Sequence, residues 1–196
     1  SLGALAAPPP ASLRFSHNDW ELVCDNTRTC RAAGYSVDGD PYPVTVLLTR
    51  QAGPGQAVTG QMMIGDFGSD GEAAKLPAML KLGMRVNGRA LGQLVIETKS
   101  TMSADLSATQ VNALLAALPR ASTIEWTAAG NRRWQLSDAG AAAVLLKMDE
   151  FQGRLGTTGA LIRKGSRDET AVLPPLPAPV VVAAAVAKPQ PSDAQF

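Results

Sequence analysis

The feature that most constrains this chain is its pair of cysteines, Cys24 and Cys30, the only two among 196 residues. They flank Asp25-Asn26-Thr27-Arg28-Thr29. Asp25-Asn26-Thr27 is turn chemistry, because short Asx side chains bond the nearby backbone and tolerate left-handed conformations. Before the turn, Trp20, Leu22 and Cys24 alternate with Glu21, Val23 and Asp25, the period of a strand with one apolar face. The returning arm carries Cys30, Ala32 and Tyr35. The spacing predicts a β-hairpin stapled across its turn by a disulfide. In the chain-entropy account so short a loop contributes about 2 kcal/mol, less any strain. Such a staple belongs in an oxidising compartment. The rival arrangement is a pair of reduced cytosolic thiols. A zinc site would be short of ligands with His17 as the only histidine, and the spacing is not that of a C-x-x-C redox pair.

The two ends of the sequence divide it. Residues 1–12 read as a signal-peptide remnant and spacer: Ala4-Leu5-Ala6 offers a small-x-small cleavage pattern, and Pro8-Pro9-Pro10 is extended. A merely flexible Ala-rich terminus is the competing reading. Residues 13–171 form one expected domain. Residues 172–196 are a Pro- and Ala-rich linker or tail, after which a second domain is expected. No stretch reaches the roughly 18 apolar residues of a membrane span; Val180 to Ala187 is too short.

Charge and composition narrow the function classes. A formal net charge of +1 offers no broad basic face for nucleic acid, and 5% aromatic residues leave few stacking platforms. One histidine removes most histidine-based catalytic and metal constellations, and no cofactor is expected.

Between the ends the pattern alternates strands and helices. Val44 to Thr49 and Ala57 to Ile64 read as an antiparallel pair. Asp66, Asp70 and Glu72 sit in a Gly-rich loop that invites a calcium reading, but the full Asp-x-Asp-x-Asp-Gly run is missing and a solvated loop fits it better. Asn87-Gly88 between β-prone arms is a two-residue hairpin signal, with the second arm from about Ala90 to Lys99. Ser107 and Gln110 make a capping box, Leu106 can staple onto Val111, and Val111, Leu114, Leu115 and Leu118 share one helical face ending at Pro119. Ser137-Asp138 suggests the start of a second helix, with Ala141, Val144, Leu145 and Met148 as its apolar face and Gly153 as its stop. Thr123 to Trp126 and Arg133 to Leu136 form a hairpin around Ala129-Gly130-Asn131, and Leu161-Ile162-Arg163 adds a last short strand. The expected fold is α+β: a curved antiparallel sheet, as a sandwich or small barrel, with two packed helices.

The run Asp19-Trp20-Glu21-Leu22-Val23-Cys24-Asp25-Asn26-Thr27-Arg28-Thr29-Cys30, with Val46 to Arg50 and Leu145 to Glu150, resembles a bacterial exported family catalogued as a domain of unknown function. More loosely it is similar to the invasion-associated locus B proteins, which pair Asp-Trp with two cysteines and follow with a helix, a β-hairpin and a Leu-Ser helix. This chain lacks the second cysteine pair that some of those proteins have. The resemblance implies a periplasmic or secreted protein and carries over no catalytic residue.

The candidate binding surface is His17, Asp19, Arg28, Arg31, Arg50 and Trp126. His17, Asp19 and Glu21 cluster at the mouth of the hairpin, where acid-base work competes with a solvated strand edge. Arg28, Arg31, Arg50, Arg132 and Arg133 would suit an anion if the fold gathers them. Trp126 and Trp134 face each other across a hairpin, one in the core and the other free for contact. Lys147, Asp149 and Glu150 read as the wet face of the second helix. The function expected is a non-catalytic exported binding module contacting another envelope or secreted protein through the stapled hairpin. A periplasmic hydrolase using His17 and nearby carboxylates, or an inhibitor- or immunity-like protein, are the alternatives.

Overall fold

The structure, a computed structural model, describes residues 12–65 and 76–178. Period-2 alternation builds its first half. β1 (Leu13–His17), β2 (Trp20–Cys24), β3 (Cys30–Tyr35), β4 (Val44–Arg50) and β5 (Thr59–Ile64) form an antiparallel meander. In β2 the inward residues are Trp20, Leu22 and Cys24; in β4 they are Val44, Val46, Leu48 and Arg50. The chain then leaves for a second sheet with β6 (Met79–Val86) and β7 (Arg89–Glu97). It returns with β8 (Ser103–Leu106), which pairs with β5, and continues into α1 (Ala108–Ala117). β9 (Ile124–Ala128) and β10 (Arg132–Leu136) complete the second sheet, and α2 (Ala141–Phe151) follows.

The strand orders are β1-β2-β3-β4-β5-β8 and β10-β9-β6-β7. Neither sheet closes on itself, so the expected sandwich form is found and the barrel is not. One apolar core lies between the sheets and helices, with α2 across β1, β2 and β3, and α1 against β5, β6 and β8.

The staple is in place. Cys24 and Cys30 are opposed in register, with Cα atoms 4.0 Å apart and sulfurs bonded at 2.03 Å. Above it, Gly34 opposes Trp20, whose indole lies where a β-carbon on residue 34 would be. Trp20 Nε1 donates to the Ser137 carbonyl at 2.8 Å, tying the hairpin to the lead-in of α2. Asn87 and Gly88 both have positive φ, 50° and 79°, as a two-residue hairpin requires.

The first helix has its capping box: Gln110 N donates to Ser107 Oγ, and Ser107 N donates to Gln110 Oε1. The second begins later than expected. Its N-cap is Gly140, at φ 95°, while Ser137 Oγ, three residues earlier, accepts from Ala139 N at 3.2 Å and donates to Asp19 Oδ2 at 2.5 Å. Its stop is Gly153, at φ 69°.

Three further expectations are corrected. Leu161-Ile162-Arg163 is not a strand, since the amides of Leu161 and Ile162 donate to the Asp149 carboxylate instead of to a ladder. Asp149 is fully buried, not on the wet face of α2. Trp126 and Trp134 are both fully buried, because their shared register turns both rings inward. The calcium reading at Asp66, Asp70 and Glu72, the leader at residues 1–11 and the sequence from residue 179 onward lie outside the described residues. Val172 is buried, and Leu176 N donates to the Thr27 carbonyl at 3.3 Å, so the first turns of the Pro-rich segment lie along the stapled turn. Among the described residues no helix is long and apolar enough to cross a membrane.

Candidate functional site

The turn that closes the hairpin is organised by Asp25. Its Oδ1 accepts from Thr27 N at 2.9 Å, Thr27 Oγ1 at 2.5 Å and Thr29 N at 3.1 Å, while Oδ2 pairs with Arg31 at 3.1 Å. Burial pushes the carboxyl up, but bonds from Thr27, Arg31 and Thr29 outweigh it and hold Asp25 below its ordinary value. Arg28 takes the left-handed position, at φ 67°. Its guanidinium donates to the Pro174 carbonyl at 3.0 Å, and its own carbonyl accepts from Gln152 Nε2 at 2.9 Å.

Gln152 leads to a buried ionic cluster. Its Nε2 also donates to the Arg50 carbonyl at 3.0 Å, and its Oε1 accepts from Arg50 Nε at 2.6 Å. Arg50 Nη2 reaches Asp149 Oδ1 at 2.7 Å. Burial is the larger effect on Arg50 and pulls its guanidinium below the ordinary value, although Asp149 opposes it. Beside this pair, the Arg154 guanidinium bonds Glu169 and the Gly53 carbonyl. Glu169 Oε2 accepts from Gly55 N at 2.8 Å. Burial raises that carboxyl, and the Gly55 amide and Arg154 together bring it below the usual value. Two cations and two carboxylates thus fasten α2 to β4, to the loop after β4 and to the segment around residue 169. Partners for nearly every polar atom are what make such burial tolerable.

The second oxygen of Asp149 does a separate job. Oδ2 accepts from Leu161 N at 2.7 Å and Ile162 N at 3.0 Å, clamping the loop after α2. That loop is one wall of a cleft of about 880 Å³. The second wall is the C-terminal half of α1, with Asn112, Leu115 and Ala116, and the third is the loop from Gln56 to Val58. Among the described residues its charged side chains are Arg50, Arg120, Arg163 and Lys164, all cationic. A cleft of this size suits a single small molecule.

The residues anticipated as a binding surface do not converge. His17 is exposed at the end of β1, and among the described residues its ring has no hydrogen-bond or ion-pair partner. Asp19 is occupied by Ser137, and Glu21 by the hydroxyl of Tyr35. Arg28 lies on the Pro-rich segment, Arg31 pairs with Asp25, and Arg133 pairs with Glu125 in the other sheet at 3.3 Å. Arg132 turns back onto the Ala129 carbonyl at 3.4 Å. Arg50 and Trp126 are buried, at 1% and 0% exposure, and belong to no exposed patch. Of the anticipated set only Arg50 lines the cleft. Arg120, Arg163 and Lys164 were missed; nothing local in the sequence distinguishes them from solubilising charges, because α1 and the loop after α2 meet only in three dimensions.

A family model described as "protein of unknown function (DUF1176)" matches residues 14–195. The chain belongs to this family. No curated protein and no solved structure matches it. The DUF1176 match spans nearly all of the described fold, so the stapled hairpin, both sheets, α2 and the clamped loop fall inside the family's extent. The family description attaches no reaction to any of them.

Proposed function

We propose that this DUF1176 protein is a non-catalytic exported binding module of the bacterial envelope, and that it binds at the cleft walled by the Asp149-clamped loop. The observation that carries the reading is the clamp itself. A loop whose backbone amides are held by a fully buried carboxylate is pre-organised, and pre-organisation lowers the cost of ordering on binding. Export is supported by the buried Cys24–Cys30 disulfide, since such bonds persist in oxidising compartments. The likeness of the cysteine hairpin to the invasion-associated locus B proteins belongs to the same reading.

Two measurements test it. In fractionated cells the protein should accumulate in the periplasm or medium with both cysteines resistant to thiol labelling; reduced protein in the cytosol would overturn the export part. In capture from an envelope extract, with and without reductant, wild-type protein should retain a component that Ala57→Trp, which fills the cleft, does not. Retention of the same set by both would overturn the cleft. A substrate whose turnover is abolished by His17→Ala would replace the reading with the hydrolase alternative.

A further inference from the structure

The cleft carries a charge that the fold does not use. Arg120, Arg163 and Lys164 are exposed; among the described residues no side-chain partner is made to any of them and no Asp or Glu lines the cleft. Behind them the buried cluster balances, Arg50 and Arg154 against Asp149 and Glu169. Three like charges around one opening therefore stand uncompensated, and their mutual repulsion falls when an anion enters. Between the cations the wall is apolar. Val58, Leu115, Leu161 and Ile162 are each half-buried, packed against the core on one side and facing the cleft on the other. A hydrated inorganic anion would meet the cations and leave that wall wet, whereas a neutral hydrocarbon would do the reverse.

We propose that the cleft holds one molecule of an anionic amphiphile, its acidic head against Arg120, Arg163 and Lys164 and its hydrocarbon body along Leu115, Leu161 and Ile162. The proposal rests on the binding reading above and names its ligand class. A second cleft provides an internal comparison. It lies on the outer face of β6, β7 and β9, measures about 730 Å³, and is also lined by cations, Lys81, Arg85 and Arg132. Among the described residues no buried carboxylate clamps its wall as Asp149 does; it lies on the face of an open sheet. Charge alone would fill both clefts; the combination of charge, apolar wall and fixed loop selects the first.

Calorimetric titration of the whole protein, with dodecyl phosphate, inorganic phosphate and dodecyltrimethylammonium each kept below micelle formation, separates the contributions. Dodecyl phosphate should bind one to one, and the other two should bind far more weakly. Arg120→Glu with Lys164→Glu should weaken dodecyl phosphate roughly tenfold or more, since charge-assisted contacts are replaced by repulsion. Lys81→Glu with Arg85→Glu should leave it unchanged, and circular dichroism of each variant checks that it is folded. Equal binding of the cationic amphiphile, equal binding of inorganic phosphate, no binding of dodecyl phosphate, or indifference to the Arg120/Lys164 reversal would each overturn the proposal. So would co-sedimentation with phosphatidylglycerol vesicles in the absence of monomer binding, which would point to a membrane surface. If dodecyl phosphate fails while Ala57→Trp still loses the captured envelope component, the ligand class falls and the binding cleft stands.

Discussion

Arg50 and Asp149 lie 99 residues apart in sequence and meet at 2.7 Å with both side chains buried, 1% and 0% exposed. The pair joins the end of β4 to the last turn of α2, and Asp149 holds the cleft loop with its other oxygen. An intact buried ion pair is weak evidence of net stabilisation, but breaking one leaves a charge with no partner.

Asp149→Ala should therefore cost about 3–5 kcal/mol. It leaves the Arg50 charge with only the neutral acceptors of Gln152 and Gly159 and takes the acceptor away from the amides of Leu161 and Ile162. Arg50→Met should cost less, because Asp149 keeps two amide donors that favour its charge. Urea denaturation gives the ranking, and hydrogen exchange at Leu161 and Ile162 should accelerate in Asp149→Ala alone. A midpoint for Asp149→Ala within error of wild type would show that the clamp does not hold the loop.

The Glu169 carboxyl predicts an acid limb of stability. Its folded-state value is depressed below the usual 4.5, so the unfolded chain binds the proton more readily. The stabilisation is present in full above pH 4.5 and is lost as pH falls through the folded value. Melting temperatures of wild type and Glu169→Gln measured from pH 7 to pH 3 should converge at the acid end. Parallel curves across the range would remove Glu169 from the network.

Much of this fold is legible because its signals are local. The alternation of Trp20, Leu22 and Cys24, the turn at Asn87-Gly88, the capping box at Ser107 and the stop at Gly153 each involve neighbours in sequence. What failed depends on distant partners. Arg50 continues the even-numbered inward face of Val44, Val46 and Leu48, and Asp149 follows Leu145 by four residues on the buried face of α2. Both periods were readable, but charge argued for the outside, and only the opposite partner cancels that argument. Ser137 has the chemistry of an N-cap, but its hydroxyl accepts from Ala139 N and donates to Asp19, 118 residues away, and the helix starts after Gly140. The edge strand β8 is only four residues long and is defined by its pairing with β5.

Two glycines separate conformational from steric demands. Gly140 has φ 95°, and a β-carbon there would sit 1.9 Å from the His17 carbonyl oxygen. Gly88 has φ 79° with nothing within 4 Å. Gly88→Ala should cost about 1 kcal/mol, the strain of a left-handed residue alone. Gly140→Ala adds a backbone collision between β1 and the start of α2, and should cost several times more. Equal shifts in melting temperature would mean that β1 moves aside freely.

The disulfide should stabilise without being required for folding. Both sulfurs are fully buried, and the turn they close is held independently by Asp25 from within and by Gln152 from α2. Cys24→Ala with Cys30→Ala should lose about 2 kcal/mol, the loop-closure contribution, and keep its near-ultraviolet circular dichroism. Burial also delays attack, because a thiolate must reach a sulfur before exchange begins. Native protein in reductant should acquire labelled thiols slowly, at the rate of local opening, and the same protein in urea should do so at once. Rapid labelling of the native protein would show that the hairpin opens easily and that the bond, not the packing around it, keeps the turn closed.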